Sequence, residues 1–231
     1  MADAGKKLSS HDLYINAKAP YGFNYVYCDL DVTHDNDDQG ENGSHVAGIA
    51  AANRFIRKNG EYVDALSEVF VAGTAPDAQI LVMKVFGKNG GAFDSDILAS
   101  IEDALVLGAD SVNLSLGSVT AGASYDNSYT EIMERIKESG IVYRTGKLTV
   151  RSMLSGNHFE SPYKSMSSFS SFGVPGDLSL KPDITAPGGN IYSVNGAVAE
   201  TDQYELMSGT SMAGPPGGWF VRRDGPVYPG K

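Results

Sequence analysis

The chain has 231 residues, of which 42% are apolar, enough for one globular domain with a substantial core. Its 18 basic residues stand against 28 acidic ones, and the net charge of −10 disfavours nucleic acid and anionic lipid as partners. Because Cys28 is the only cysteine, an intramolecular disulfide and a cysteine-based zinc site are both excluded.

Targeting and membrane signals are not visible in the sequence. Met1–Ser10 contains no apolar stretch typical of a signal peptide, and no apolar run approaches the ~20 residues that span a bilayer. We therefore expect a chain without an export signal or a membrane-spanning segment, and its compartment stays unassigned.

The middle of the chain alternates between strand and helix patterns. The apolar run Ile80–Phe86 is typical of a strand buried on both faces. Apolar residues at helical spacing then predict a helix over Asp96–Leu107, which Gly108 ends. The alternating segment Ser111–Leu116 predicts the next strand.

A second helix and a third strand follow. The helix is predicted to begin at Ser128, where Glu131 completes a capping box, and to end at Gly140. A strand is predicted from Ile141. This β-α-β-α-β order predicts an α/β domain with a parallel sheet, in which functional residues gather where the strands end.

The pentapeptide Gly209–Ala213 (GTSMA) is the strongest candidate site. Its small residues allow a tight turn, and Ser211 then lies at a helix N-terminus, where free N–H groups and the helix dipole favour a developing oxyanion. A serine that only caps a helix is the alternative. In this motif the chain resembles the subtilase family of serine peptidases, whose nucleophile motif is G-T-S-M-A.

Two further segments carry the resemblance. Gly43–Gly48 (GSHVAG) is similar to the family motif H-G-[ST]-H-V-A-G, whose first histidine is the general base, and Asn42 occupies that position here. Ser115, Leu116 and Gly117 match the strand end that lines the substrate groove in the family and pairs with the substrate backbone.

Weaker matches at Ala75–Ile80 and Lys181–Gly189 extend the resemblance, which is greatest to lactocepin-type cell-envelope peptidases. The implied fold is α/β, with a three-layer subtilisin-like parallel sheet flanked by helices. The expected organisation is an N-terminal extension over residues 1–23, a partial peptidase domain over residues 24–215, and an irregular Gly/Pro-rich tail over residues 216–231.

Several elements depart from the family pattern. The strand that ends in the catalytic aspartate of the family is not found before Asn42, and Asn42 itself cannot accept a proton near neutral pH. His45 lies three positions further along and is expected to be a structural histidine. Asn157 is a candidate oxyanion-hole residue, with an ordinary loop residue as the equal alternative. The segment Gly214–Gly218 (GPPGG) is expected to stop the nucleophile helix within about one turn.

Metal and cofactor motifs are not evident. The stretch from Asp35 begins like a calcium loop, but Val46 stands where the closing glutamate belongs. The four histidines do not follow the H-E-x-x-H spacing of a zinc site. Calcium is therefore implied by the family resemblance alone.

The resemblance implies a serine endopeptidase that cuts peptides or proteins by acyl transfer at Ser211. The altered base position predicts little or no hydrolysis, since loss of the base in subtilisin lowers turnover by about 10⁶. Two alternatives stay open: a pseudo-peptidase that binds peptides without cutting them, and a non-functional remnant of a longer gene. Oligomeric state and substrate preference stay unassigned.

Overall fold

The computed structural model describes residues 13–33, 42–53, 55–64, 71–116, 127–145, 166–170, 185–196 and 204–215. The elements in this part are, in chain order, β1 (Tyr21–Asn24), α1 (Asn42–Ala51), β2 (Phe55–Lys58), β3 (Glu61–Asp64), β4 (Leu81–Lys84), α2 (Asp94–Val106), β5 (Ser111–Leu114), α3 (Asn127–Ser139), β6 (Val142–Thr145), β7 (Ile191–Val194) and β8 (Tyr204–Met207). Residues 210–215 are also helical.

The elements predicted for the middle of the chain are confirmed, with shifts at their ends. The predicted strands are β4, β5 and β6, and the predicted helices are α2 and α3. Because α3 begins at Asn127, Ser128 lies inside the helix, and the predicted cap position is wrong by at least one residue. Strand β1 begins at Tyr21, within the segment expected to be an N-terminal extension.

The described strands form four separate two-stranded sheets. β1 pairs with β4 and β5 pairs with β6, both in parallel, whereas β2–β3 and β7–β8 are antiparallel pairs. Parallel pairing and the α/β class are confirmed. The sheet is incomplete because β4 and β5 are not hydrogen-bonded to each other, although α2 connects them along the chain.

The β2–β3 hairpin was not predicted, although the sequence contains a strong signal for it. Asn59 and Gly60 join the two strands, with φ angles of 53° and 91°. Two consecutive positive φ angles are typical of the type I′ turn, for which Asn-Gly is a preferred sequence.

One core joins both parallel pairs to the helices α2 and α3. Its most buried members are Ile101 of α2 and Ile136 of α3, which are 1% and 0% exposed. Val85, directly after β4, and Leu114 of β5 belong to the same cluster. The helices therefore cover β1–β4 and β5–β6 together, and they hold the carboxyl end of β5 in place.

A buried polar cluster fastens β1 to α2. The Tyr25 hydroxyl donates to the Asp103 carboxylate at 2.7 Å, and the Tyr21 hydroxyl lies 3.2 Å from the same oxygen and 2.9 Å from the Tyr25 hydroxyl. Burial raises the pKa of Tyr25 above its ordinary value of 10.0, and the hydrogen bonds to Tyr21 and Asp103 raise it further. The folded protein therefore holds this phenolic proton more tightly than the unfolded chain does.

This cluster predicts a loss of stability at alkaline pH. A raised folded pKa stabilises the protein fully below about pH 10, and that contribution declines as the pH rises further. Tyr25→Phe should reduce the alkaline decline by up to about 1.4 kcal/mol per pH unit, measured by urea unfolding between pH 8 and pH 11. Tyr14→Phe, at a 53% exposed site, is the control and should keep the wild-type slope. Equal slopes for all three proteins would contradict the assignment.

Candidate active site

In the turn that carries Ser211, the backbone at Gly209 lies close to the backbone at Gly188. The Gly209 N–H donates to the Gly188 carbonyl oxygen at 2.8 Å, and the Met212 N–H donates to the Gly209 carbonyl oxygen at 3.2 Å. A β-carbon added at Gly188 would lie 2.6 Å from the Gly209 carbonyl oxygen. Glycine is therefore needed at position 188 for the chain to present Ser211 where it does.

Met212 anchors this turn to α1. Its side chain is 1% exposed and packs in a second core with Val46 and Ile49 of α1, against which Ile191 and Met207 of the β7–β8 hairpin also pack. The residue next to Ser211 thus ties the turn to the helix that begins at Asn42. Two of the motifs that predicted the site, around His45 and around Ser211, therefore share one small core.

The hydroxyl of Ser211 meets the carboxyl end of β5. It donates to the Ser115 carbonyl oxygen at 3.4 Å, and the Ser115 hydroxyl donates back to the Ser211 carbonyl oxygen at 3.3 Å. The Asn113 side-chain amide donates to the Ser115 hydroxyl at 2.8 Å. A strand end and a helical turn, far apart in sequence, are therefore joined at Ser211.

Asn113 is a site residue that the sequence analysis missed. It lies two positions before Ser115, so the alternation of a strand places both side chains on one side of the chain. A β-carbon added at Gly214 would lie 2.8 Å from its side-chain oxygen, so the helical segment 210–215 passes close over it. The i, i+2 spacing of Asn113 and Ser115 was the available signal.

The contacts of His45 give it a structural role. It is fully buried, and its Nε2 lies 3.0 Å from the Ile191 carbonyl oxygen and 3.3 Å from that of Glu205. Since both partners are acceptors, Nε2 carries a proton and donates it. Its Nδ1 is buried without a partner, and the Ser193 hydroxyl donates to the His45 carbonyl oxygen at 2.9 Å. These contacts agree with the expectation of a structural histidine that clamps α1 to the β7–β8 hairpin.

Of the remaining predicted site residues, Asn42 and Leu116 lie within the described part of the chain. Asn42 is exposed at the first residue of α1, and Leu116 packs against the main core. Gly117 and Asn157 lie outside the described residues. Within the described ranges, no imidazole or carboxylate is hydrogen-bonded to the Ser211 hydroxyl, and its recorded partner is the Ser115 carbonyl oxygen.

The described part of the chain contains neither a metal-ligand cluster nor a membrane-spanning helix. No group of three or more His, Cys, Asp or Glu side chains there is placed to hold a metal ion. Among the helices described, none has both the length and the apolarity to cross a bilayer.

Comparison with known proteins gives consistent matches over most of the chain. The family model described as Peptidase_S8, Subtilase family, matches residues 3–164 and 148–216. The PI-type proteinase of Lactococcus lactis subsp. cremoris is 36% identical over 135 residues, which are 57% of this chain and 7% of that protein. The Thermophilic serine proteinase of Bacillus sp. (strain AK1) is 30% identical over 221 residues, covering 92% of this chain and 48% of that protein.

Solved structures show the same fold. Sphericase aligns with a TM-score of 0.58 at 22% identity, covering 83% of this chain and 66% of that chain. S41 Psychrophilic Protease aligns with a TM-score of 0.56 at 24% identity, with the same coverage. The chain spans less than half the length of the two curated relatives and about two thirds of these solved chains.

The close approach of α1 to β7 gives a stability prediction. A β-carbon added at Gly48 would lie 2.5 Å from the Ser193 hydroxyl and 2.9 Å from a Val194 methyl carbon, so Gly48→Ala must push the two elements apart. We expect a loss of about 1–3 kcal/mol in the free energy of unfolding, measured by urea denaturation. Gly43→Ala, on the same helix with no atom within 4 Å, is the matched control and should lose little or nothing. Equal losses in both variants would refute this packing.

Proposed function

Because the chain belongs to the subtilase family of serine peptidases, we propose that Ser211 occupies the nucleophile position of a serine endopeptidase and that the chain hydrolyses peptide bonds little or not at all. One observation carries the proposal. The Ser211 hydroxyl donates its hydrogen bond to a backbone carbonyl oxygen, that of Ser115, in the place where a peptidase needs a base.

The chemistry of acyl transfer explains why this partner matters. As the serine oxygen bonds to the substrate carbonyl carbon, its proton must move to a base, which then delivers it to the departing amine. A backbone carbonyl oxygen accepts a hydrogen bond but does not take the proton near neutral pH. The side-chain amide of Asn42 has the same defect. Neither group can carry the proton from the hydroxyl to the leaving nitrogen.

His45, the histidine nearest to Asn42 in sequence, does not repair this defect. His45 already uses Nε2 to hold the β7–β8 hairpin, and the ring is completely buried. Turning the ring toward Ser211 would leave the Ile191 and Glu205 carbonyl oxygens without this donor. Each buried polar group left unsatisfied costs about 1–3 kcal/mol, a large part of a typical domain's stability.

Weak residual activity is compatible with the proposal. A triad enzyme stripped of a catalytic member still accelerates hydrolysis by roughly 10³–10⁴ over water through binding and oxyanion stabilisation. Loss of the base removes about 10⁶ in turnover. Peptides are the ligands that such a site would take, so binding without cleavage is a separable property. A direct binding measurement with an uncleaved peptide would detect it.

Active-site labelling tests the proposal directly. A fluorophosphonate probe should modify Ser211 in the wild-type chain no faster than it modifies background sites in Ser211→Ala, because the hydroxyl is not activated. Intact-mass spectrometry and peptide mapping give the rate and the site. Rapid labelling at Ser211 that Ser211→Ala abolishes would overturn the inactive assignment.

The base position can be tested separately. Asn42→His places an imidazole at the exposed start of α1, and we expect no measurable gain in peptide hydrolysis over wild type. The reason is that the strand carrying the family's catalytic aspartate is not found before Asn42, so we expect no carboxylate to orient the new ring. A gain of more than tenfold would show that the histidine alone restores proton transfer. The Asn42→Gln variant, which keeps an amide, is the matched control.

A further inference from the structure

Four Asn-Gly pairs occur in the chain, and they begin at Asn42, Asn59, Asn89 and Asn195. This dipeptide is chemically labile, because the main-chain nitrogen of the glycine can attack the side-chain amide of the asparagine and glycine has no β-carbon to hinder the approach. The attack needs a glycine N–H that is not engaged in a hydrogen bond and a backbone that can rotate at the asparagine. The fold therefore decides which of the four pairs reacts.

Three of the pairs are restrained by the fold. The Gly90 N–H donates to the Gly87 carbonyl oxygen at 2.9 Å, so the nitrogen that follows Asn89 is engaged. Asn59 has a φ angle of 53° in the turn that joins β2 to β3, and rotation there would open the hairpin. Asn195 directly follows β7, is half-buried and makes an interaction of its own. Each of these pairs must lose a contact of the folded state before it can react.

The pair at the start of α1 is less restrained. Asn42 is the first residue of the helix and Gly43 is the second, and the first N–H groups of a helix have no partner within it. Both residues are exposed, and a β-carbon added at Gly43 would meet no other part of the chain within 4 Å. Because helix ends fray, Asn42 can leave the helical conformation while the buried part of α1, from His45 onward, stays packed.

We propose that Asn42–Gly43 is a site of spontaneous deamidation, which converts the neutral amide at position 42 into a carboxylate. The Gly43 nitrogen gives up its proton and bonds to Cγ of Asn42, whose amide nitrogen takes up a proton and leaves as ammonia. Water then opens the cyclic imide at either of its two carbonyl carbons, which yields aspartate or isoaspartate. Water is the only co-reactant, and no oxidant or reductant takes part.

The product differs from asparagine in both charge and chemistry. A carboxylate can accept a proton, whereas the amide of Asn42 cannot. Its negative charge is also favourable at the N-terminus of α1, because the helix dipole is positive there. The position that matches the family's general base therefore changes as the protein ages, without an enzyme. This inference goes beyond the proposed function and does not depend on the reactivity of Ser211, so either can fail alone.

Ageing of the full chain tests the site. The protein is incubated in mildly alkaline buffer and digested in acid, and conversion at each Asn-Gly pair is followed by mass-spectrometric peptide mapping. Conversion at Asn42 should be at least about fivefold faster than at Asn89, because the hydrogen bond at Gly90 must break first. In urea, where the fold is lost, the two rates should become similar. Equal rates in the folded chain, or the same difference in urea, would overturn the proposal.

Two variants test the chemistry of the step. Gly43→Ala adds a β-carbon beside the attacking nitrogen in open space, so it should fold normally and slow conversion at Asn42 several-fold. Asn42→Gln must close a larger ring and should show no conversion at position 42 over the same period. Both variants should leave the rate at Asn89 unchanged. Conversion at Asn42 that continues at the wild-type rate in Gly43→Ala would contradict attack by the Gly43 nitrogen and refute the site.

Discussion

A serine hydroxyl becomes a nucleophile at neutral pH only when a neighbouring group removes its proton as the new bond forms. The description of this chain depends on that requirement. Ser211 lies in the family's motif and on the family's fold, in a helical turn that meets the carboxyl end of the parallel strand β5, but its hydroxyl donates to a main-chain oxygen. We propose that position and chemistry are separated here, because no imidazole or carboxylate of the described residues is hydrogen-bonded to the Ser211 hydroxyl.

The scaffold around Ser211 depends on a second, smaller core. Met212 fills the space between α1 and the β7–β8 hairpin, and His45 joins the same two elements through its Nε2. Because the histidine serves this packing, it has no freedom to serve catalysis. The small core that packs Met212, the neighbour of Ser211, against α1 is thus bordered by the same hairpin that His45 holds through its Nε2.

Much of the fold could be predicted from the sequence where periodicity is strong. The apolar spacing in the sequence was enough to predict helices α2 and α3 and strands β4 and β5. Their observed ends differ from the predicted ends by only one or two residues. The β7–β8 hairpin was harder to predict because β8 carries Glu205, whose buried carboxylate oxygen interrupts the alternation of an inward-facing strand. The lack of pairing between β4 and β5 could not be predicted from local patterns, because strand pairing depends on contacts between segments distant in sequence.

The candidate site, like the fold, could be predicted only in part. The resemblance to a known motif identified Ser211 and Ser115, and the structure brings them together. Asn113 and Gly188 escaped notice because their roles, a donor to Ser115 and a close backbone approach, arise only when distant segments meet. The roles of Gly117 and Asn157 stay predictions.

The most direct measurement is the identity of the group nearest to the Ser211 oxygen in a crystal structure of the whole 231-residue chain. A silent centre predicts that the Ser115 carbonyl oxygen remains its partner and that no imidazole nitrogen lies within hydrogen-bonding distance, about 3.2 Å. A histidine ring within that distance, with a carboxylate bonded to its other nitrogen, would show a complete catalytic triad and contradict the account.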